Sequence, residues 1–160
     1  MRAVGVILIL FACLLIDNAY RRYLERRVRV LEEMCELFTT ICNRLPEGVR
    51  PLSSLVVGLE LCELSKCGFL NALLVGDSPL AAYKKAAPEL GLGESVDTRV
   101  TDFFEYGVRG TAAKAEQCAK SVLAALEKER GSVKENTDLR LKLLRVVLLS
   151  VGLGLGISVI

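Results

Sequence analysis

The most regular hydrophobic pattern of the chain lies in its first third. Seven residues follow one another there at alternating steps of four and three: Leu24, Val28, Leu31, Cys35, Phe38, Cys42 and Leu45. Such spacing places side chains along one side of an α-helix and is typical of a heptad seam that packs against a partner helix. The pattern therefore predicts a long first helix with a continuous packing seam, which Met34, Leu37 and Ile41 widen.

The last third of the chain carries a second helical pattern, from residue 111 to residue 160. Apolar or small residues recur at helical spacing before and after Gly131: Ala115, Cys118, Ala119, Val122, Leu126, Leu139, Leu143, Val146 and Val147. The spacing predicts a long final helix, in which a kink would fall at Gly131-Ser132. We expect this helix to run antiparallel to the first one and to cover its seam.

Short helices are predicted between the two long ones. Pro46, Gly48 and Pro51 break the first helix, and Ser78-Pro79 opens a short helix that should stop before Pro88. A further short helix, with Val96, Val100, Phe103 and Phe104 inward, should end at Gly107. No stretch alternates with a period of two, so the predicted fold is all-α.

Both ends of the chain are apolar. Residues 3–16 and 146–160 carry no charge, and basic residues stand on the inner side of each run: Arg21, Arg22, Arg26, Arg27, Arg29, Arg140, Lys142 and Arg145. This placement matches the positive-inside rule. It predicts a membrane-anchored helical bundle with a long antiparallel helix pair and N- and C-terminal transmembrane segments. The expected division is an N-terminal anchor (1–19), a cytoplasmic helical domain (20–145) and a C-terminal anchor (146–160).

The first apolar run has competing interpretations. A secretory signal also combines a positive charge with a short apolar run, and Cys13 resembles a lipoprotein cleavage position. No Ala-x-Ala site follows, and Leu14, Leu15 and Ile16 would leave an apolar stretch behind such a cysteine. An uncleaved anchor is the preferred interpretation.

The C-terminal run contains Gly152 and Gly156, four residues apart. Small residues at this spacing let another helix approach closely in a membrane. Two interpretations stay open: packing or dimerisation, which would include a homo-oligomer, and simple exposure to lipid.

Composition narrows the candidate chemistry. The chain has no His, and its net charge of +2 does not suggest a nucleic-acid partner. Its six cysteines form no C-x-x-C pair. Solvated helix faces explain nearly all of the acidic residues on or beside helices, namely Glu32, Glu33, Glu36, Glu60, Glu63, Glu127, Glu129 and Glu135. We expect no enzyme activity, no cofactor and no metal site. The alternative is a membrane-tethered module that depends on cysteine chemistry or binds a metal.

The layout resembles the stage III sporulation protein AB family of endospore-forming bacteria. The matching residues are Tyr23, Glu25 and Arg26 after the first anchor, Leu37 and Ile41 on the first helix, Pro51-Leu52, Phe103 with Tyr106-Gly107, and residues 153–160. The chain departs from that family at Phe38, Thr39 and Thr40, where acidic residues are expected, at Gly110 and Lys114, and by an insertion near residues 43–50.

The resemblance implies a structural component of the channel complex between mother cell and forespore, in the mother-cell membrane. That family is also similar to the helical cytoplasmic domains of type II secretion F and type IV pilus platform proteins. By this analogy the partners would be a secretion-type ATPase, the stage III sporulation protein AA, and the other channel subunits.

Overall fold

The computed structural model describes residues 2–45, 52–108 and 110–159, and within these ranges it contains helices and no strands. The all-α prediction is therefore confirmed. The elements are α1 (Arg2–Arg44), α2 (Leu52–Val56), α3 (Cys62–Lys66), α4 (Phe69–Val75), α5 (Pro79–Leu90), α6 (Glu94–Asp102), a π-helical turn (Phe103–Gly107) and α7 (Ala112–Val159). The predicted break at Pro46, Gly48 and Pro51 lies outside the described residues.

The chain forms two compact units. The core unit is Arg27–Gly131, and the terminal unit combines Met1–Arg26 with Ser132–Ile160. The long helices α1 and α7 each contribute to both units. The divisions thus fall several residues inside the predicted domain boundaries at 19/20 and 145/146.

Aromatic side chains fill the centre of the core unit. Phe38 of α1 lies 5.2 Å from Phe103 between ring centroids, and Phe69 of α4 lies 6.0 Å from Tyr83 of α5. Phe104 contacts both pairs, at 5.3 Å from Phe103 and 5.6 Å from Tyr83. Most of these edge-to-face and tilted contacts have the geometry that aromatic pairs prefer, so one cluster joins α1, α4, α5 and the π-helical turn.

Within the core unit, α1 and α7 run antiparallel. Arg27 of α1 forms a salt bridge with Glu129 of α7, with 3.1 Å between Nη2 and Oε1. Further along α1, the pKa of Cys42 is affected by the charges of Glu116 and Lys120, which come earlier in α7. As the residue number rises on one helix it falls on the other, which is the expected direction for a pair joined through the short helices.

Helix α5 continues through Pro88, so the prediction that it stops before this proline is wrong. The helix ends at Leu90, and Gly91 follows with a φ of 60°. Proline has no N–H group, so the carbonyl of Lys84 lacks its helical hydrogen bond from position 88. Lys84 and Pro88 lie on the exposed face, while Ala86 and Leu90 are buried. Burial of Leu90 favours one more turn, and the single missing hydrogen bond is left on the solvent side.

The final helix is continuous through the predicted kink site. Helix α7 is continuous from Ala112 to Val159, through Gly131 and Ser132. Gly131 is exposed, and a Cβ atom added there would have no neighbour within 4 Å. The glycine alone does not end the helix, because its cost of about 1 kcal/mol relative to alanine is small against the packing of the turns around it.

The predicted transmembrane segments gain no support from the described helices. Among residues 2–45, 52–108 and 110–159, none of the helices offers a stretch whose length and apolarity suffice to cross a membrane. The surroundings of Gly152 and Gly156 lie outside the described side chains.

Candidate functional site

The heptad residues of α1 are placed mainly in the interior. Leu24, Leu31, Cys35, Phe38 and Leu45 are buried, while Val28 and Cys42 are half-buried. Three neighbours on α1, Met34, Leu37 and Ile41, are buried as well. The buried face is therefore wider than a two-residue seam, because the short helices pack on α1 in addition to α7.

Helices α3 and α6 are among the short helices that begin without a capping side chain of their own. The N-cap residue of α3 is Leu61 and that of α6 is Gly93, and neither provides an oxygen for the first free backbone N–H groups. Serine, threonine, aspartate or asparagine usually fills this position. The exposed N–H groups therefore need an acceptor from elsewhere in the fold.

Carboxylates on the long helices provide that acceptor. Glu33 of α1 accepts hydrogen bonds from the backbone N–H groups of Glu63, at 2.9 and 2.8 Å, and of Leu64, at 2.9 Å. Glu129 of α7 accepts from the N–H of Gly93 at 2.9 Å and also binds Arg27. A negative charge at a helix N-terminus is favoured by the helix dipole.

These contacts correct the description of Glu33, Glu63 and Glu129 as residues of solvated faces. Glu63 is buried at 6% exposure, and its carboxylate pairs with Lys66 at 2.9 Å between Nζ and Oε1. Sequence periodicity alone could not show which carboxylates turn inward. The missing caps at Leu61 and Gly93 were the available signal, since N–H groups at a helix start without a capping side chain bind water or an acceptor from another part of the fold.

The predicted membrane-flanking basic residues do not all have the same surroundings. Arg21, Arg22, Arg26, Arg29, Arg140 and Lys142 are exposed, while the side chain of Arg145 is outside the described set. Arg27 differs because it is half-buried and paired with Glu129 in the core unit. Arg27 is therefore placed as part of the α1–α7 packing.

The terminal unit presents an apolar surface, which we call the terminal apolar surface. It consists of large side chains that are each more than half exposed: Phe11, Leu14, Leu15 and Ile16 on α1, and Leu139, Leu143, Val146 and Val147 on α7. Apolar residues exposed singly are normal on a soluble protein, but eight large ones within two stretches of one unit are more than such scatter.

Polar groups stand beside this surface in the same unit. Arg140 donates a hydrogen bond from Nη1 to the hydroxyl oxygen of Tyr20 at 3.1 Å. Together with Leu143 and Val147 these side chains line a pocket of about 320 Å³, which we call the terminal pocket. Its lining therefore combines a guanidinium group and a phenol with two aliphatic side chains.

A second pocket, of about 290 Å³, lies in the core unit beside the π-helical turn. Its lining is Glu105, Tyr106, Gly107, Gly110, Lys114 and Cys118. Tyr106 is 66% exposed, and the charge of Glu105 together with a hydrogen bond to it raises the pKa of the phenol. This pocket combines an aromatic side chain, a carboxylate and an ammonium group.

The cysteines in the core of the fold are poorly suited to nucleophilic chemistry. Burial raises the pKa of both Cys35 and Cys42, which keeps these thiols protonated at neutral pH. Cys62 is exposed, and Cys67 donates to the carbonyl of Leu64 at 3.2 Å. Among the described side chains, no three metal-ligating groups lie close enough to hold an ion.

Comparison with known proteins finds no matching family model, no curated relative and no similar solved structure. The resemblance to the stage III sporulation protein AB family therefore rests on the residues that carry it. Of these, Phe103 is buried in the aromatic cluster and Gly107 lies directly beneath it, while Tyr23 and Tyr106 are exposed.

Proposed function

We propose that this chain is a structural membrane component whose terminal helical segments are held in lipid and whose helical core unit is presented to protein partners at the cytoplasmic face. The observation that carries the proposal is the terminal apolar surface. Burial of apolar surface contributes roughly 25 cal/mol per Å², so eight large exposed side chains on two neighbouring stretches favour an apolar environment strongly.

The charge pattern supports the orientation. Exposed arginines follow the apolar part of α1, and Arg140 and Lys142 precede the apolar end of α7. Basic residues next to lipid-held segments favour the cytoplasmic side. The core unit, which links the two segments, would then lie in the cytoplasm.

Membrane fractionation of cells that express the full chain tests this part of the proposal. We expect the protein to sediment with membranes, to resist alkaline carbonate and to be released by detergent. Recovery of the full-length chain in the supernatant without detergent would refute it. In inverted vesicles, protease should digest the core unit and spare the segment after Val146; the opposite result would reverse the orientation.

We further propose that the core unit serves in the sporulation channel complex between mother cell and forespore, and that it docks the stage III sporulation protein AA ATPase. The resemblance supports this role, and the pocket around Tyr106 supplies a surface with the aromatic and charged groups that interfaces favour. The apolar side chains Val57, Leu74 and Val75 are also exposed on the core unit.

Co-purification from a detergent extract tests the docking. The wild-type chain should retain the ATPase encoded by the same genome, and Tyr106→Ala should weaken retention, because truncation of a central interface aromatic often costs about 2 kcal/mol or more. Lys84→Ala on the exposed side of α5 is the matched control and should bind normally. Wild-type protein that stays with membranes but retains no ATPase would refute the docking and leave the membrane role standing.

A further inference from the structure

The terminal pocket has a polar end and an apolar end. Arg140, Leu143 and Val147 of α7 follow one another at steps of three and four, so they lie on one face of that helix. The guanidinium stands at the start of this row and Val147 about 10 Å further along the axis, from a rise of about 1.5 Å per residue. Tyr20 of α1 closes the polar end through its contact with Arg140.

We infer that the terminal pocket binds an anionic phospholipid, with the phosphate at Arg140 and the beginning of an acyl chain along Leu143 and Val147. The inference rests on the proposed function, since it requires the terminal segments to be in contact with lipid. It adds the headgroup chemistry and the residues that recognise it.

The donor geometry fits a phosphate group. A guanidinium carries five N–H donors in a planar fork, and Tyr20 accepts from one of its nitrogens. The remaining donors suit the oxygens of a phosphate, which arginine binds in bidentate fashion. The hydroxyl of Tyr20 accepts from Arg140 and therefore keeps its own proton to donate beside the guanidinium.

The surrounding charge favours an anionic headgroup. Exposed Arg21 and Arg22 follow Tyr20 on α1, and exposed Lys142 follows Arg140 on α7. Glu25 offsets part of this charge, since its carboxylate lies 3.4 Å from Nε of Arg21, and Asp17 and Asp138 add two more negative charges near Tyr20 and Arg140 in the sequence. The balance stays positive at the end of the unit where the two helices leave the apolar surface, which is the level of a lipid headgroup.

The apolar half of the pocket favours a lipid over a free phosphate ion. A small anion on Arg140 would leave Leu143 and Val147 exposed to water, whereas an acyl chain covers both. Leu143 is 64% exposed and Val147 is 59% exposed, so both are accessible to such a chain. The same two side chains belong to the terminal apolar surface.

Binding of the full-length protein to two kinds of vesicle tests the inference. One kind contains phosphatidylcholine alone, and the other contains equal parts of phosphatidylcholine and phosphatidylglycerol. We expect the wild type to bind both and to prefer the anionic vesicles. Arg140→Gln should lower partition onto anionic vesicles at least about fivefold, the factor that corresponds to about 1 kcal/mol for one basic residue at an anionic surface.

Two matched control variants distinguish binding in the terminal pocket from general electrostatic or apolar attraction to the membrane. Lys142→Gln removes the same charge from the same helix but not from the pocket, and Leu139→Asn matches Leu143→Asn in the same way. The pocket variants should lose clearly more of the anionic preference than their controls. Circular dichroism of each variant shows that the helices are retained.

The possible failures are distinguishable. Equal losses for Arg140→Gln and Lys142→Gln, or for Leu143→Asn and Leu139→Asn, would overturn the pocket. Equal binding of the wild type to both kinds of vesicle would overturn the headgroup preference and leave the membrane role intact. Absence of binding to either kind would overturn the proposed function together with the inference.

Discussion

Single carboxylates of the long helices hold the short helices in place. Glu129 joins three parts of the core unit, because it accepts from the N–H of Gly93 at the start of α6 and from Arg27 of α1. A Cβ atom at position 93 would lie 2.8 Å from Oε2 of Glu129, so the carboxylate would have to shift away from the N–H of Gly93. Glu33 fixes the start of α3 in the same way.

Replacing Glu129 should therefore destabilise the core unit. We expect Glu129→Ala to lower the free energy of unfolding by about 1.5–3 kcal/mol, because hydrogen bonds to charged groups are lost and Arg27 stays half-buried without its partner. Urea denaturation followed by circular dichroism measures this change. Glu127→Ala, on the exposed face of the same helix, should stay within about 0.5 kcal/mol. Equal effects would show that the contacts of Glu129 add nothing to stability.

The buried phenol of Tyr83 should make the free energy of unfolding depend on pH. Its hydroxyl donates to Oδ1 of Asp97 at 2.5 Å, and burial, followed by this hydrogen bond, raises the pKa of the phenol above its ordinary value near 10. Above pH 10 the unfolded chain releases this proton while the folded chain keeps it, so the stabilisation by Tyr83 is complete below that pH and declines as the pH rises.

The comparison with Tyr83→Phe isolates this effect. At neutral pH the variant should be less stable by about 0.5–1.5 kcal/mol, because it loses the hydrogen bond and keeps the ring in the aromatic cluster. Above pH 10 the difference in the free energy of unfolding should shrink. Tyr23→Phe, on an exposed side chain, should change neither value by more than about 0.5 kcal/mol. A difference that stayed constant with pH would contradict the role of the buried phenol.

At the scale of the elements, hydrophobic periodicity predicted the helices well. The long patterns of α1 and α7 and the inward side of α6 follow directly from residues such as Leu31, Leu126 and Val100, each of which is fully buried. Periodicity failed at Pro88, where burial of Leu90 extends the helix. It also could not find Glu33 or Glu129, because their acceptor role depends on where the starts of α3 and α6 lie in the folded chain.

The π-helical turn is a feature that no sequence pattern indicated. A wider turn at Phe103–Gly107 directs both Phe103 and Phe104 into the aromatic cluster, where their ring centroids lie 5.3 Å apart. Gly107 makes this possible, since a Cβ atom there would lie 2.9 Å from Cδ2 of Phe103 and 3.4 Å from Cβ of Cys118. Inserted turns of this kind are frequent at functional sites, and this one forms part of the pocket beside Tyr106.

Gly107→Ala tests whether the turn needs its glycine. We expect a loss of about 1–3 kcal/mol in the free energy of unfolding, because the added methyl group displaces Phe103 from the cluster. The near-ultraviolet circular dichroism of the aromatic side chains should weaken as well. Gly110→Ala is the control, since its nearest contact is Cβ of Lys114 at 3.4 Å, and it should cost at most about 0.5 kcal/mol. A harmless Gly107→Ala would show that the turn can relax around a side chain.

Replacement of Gly131 in α7 should stabilise the protein, in contrast to replacement of Gly107. Because it is exposed, helical and without close neighbours, Gly131→Ala should raise the free energy of unfolding by about 0.5–1 kcal/mol. The reciprocal change Ala124→Gly, at an exposed position of the same helix, should lower it by a similar amount. Destabilisation by Gly131→Ala would show that the freedom of the glycine backbone is itself required.

At the scale of the whole molecule, the two units differ in what they leave uncovered. Of the buried apolar side chains that the structure describes, nearly all lie in the core unit, including the aromatic cluster, whereas the terminal unit exposes eight large apolar residues. A sequence of 160 residues with 52% hydrophobic residues could have placed this excess in one core. Among the described side chains, most of the large apolar residues that stay exposed lie on the terminal unit, and lipid contact is proposed for that unit.

This difference predicts that the units can be separated. A fragment of residues 27–131 should be helical and should remain in the supernatant after membrane sedimentation, since it keeps the core and both carboxylate caps and lacks the terminal apolar surface. The full chain, expressed in parallel, should sediment with the membranes. Circular dichroism and size-exclusion chromatography of the fragment report its fold. If the folded fragment sedimented like the full chain, the membrane contact would belong to the core unit, and the exposed residues Val57, Leu74 and Val75 would be the first to replace.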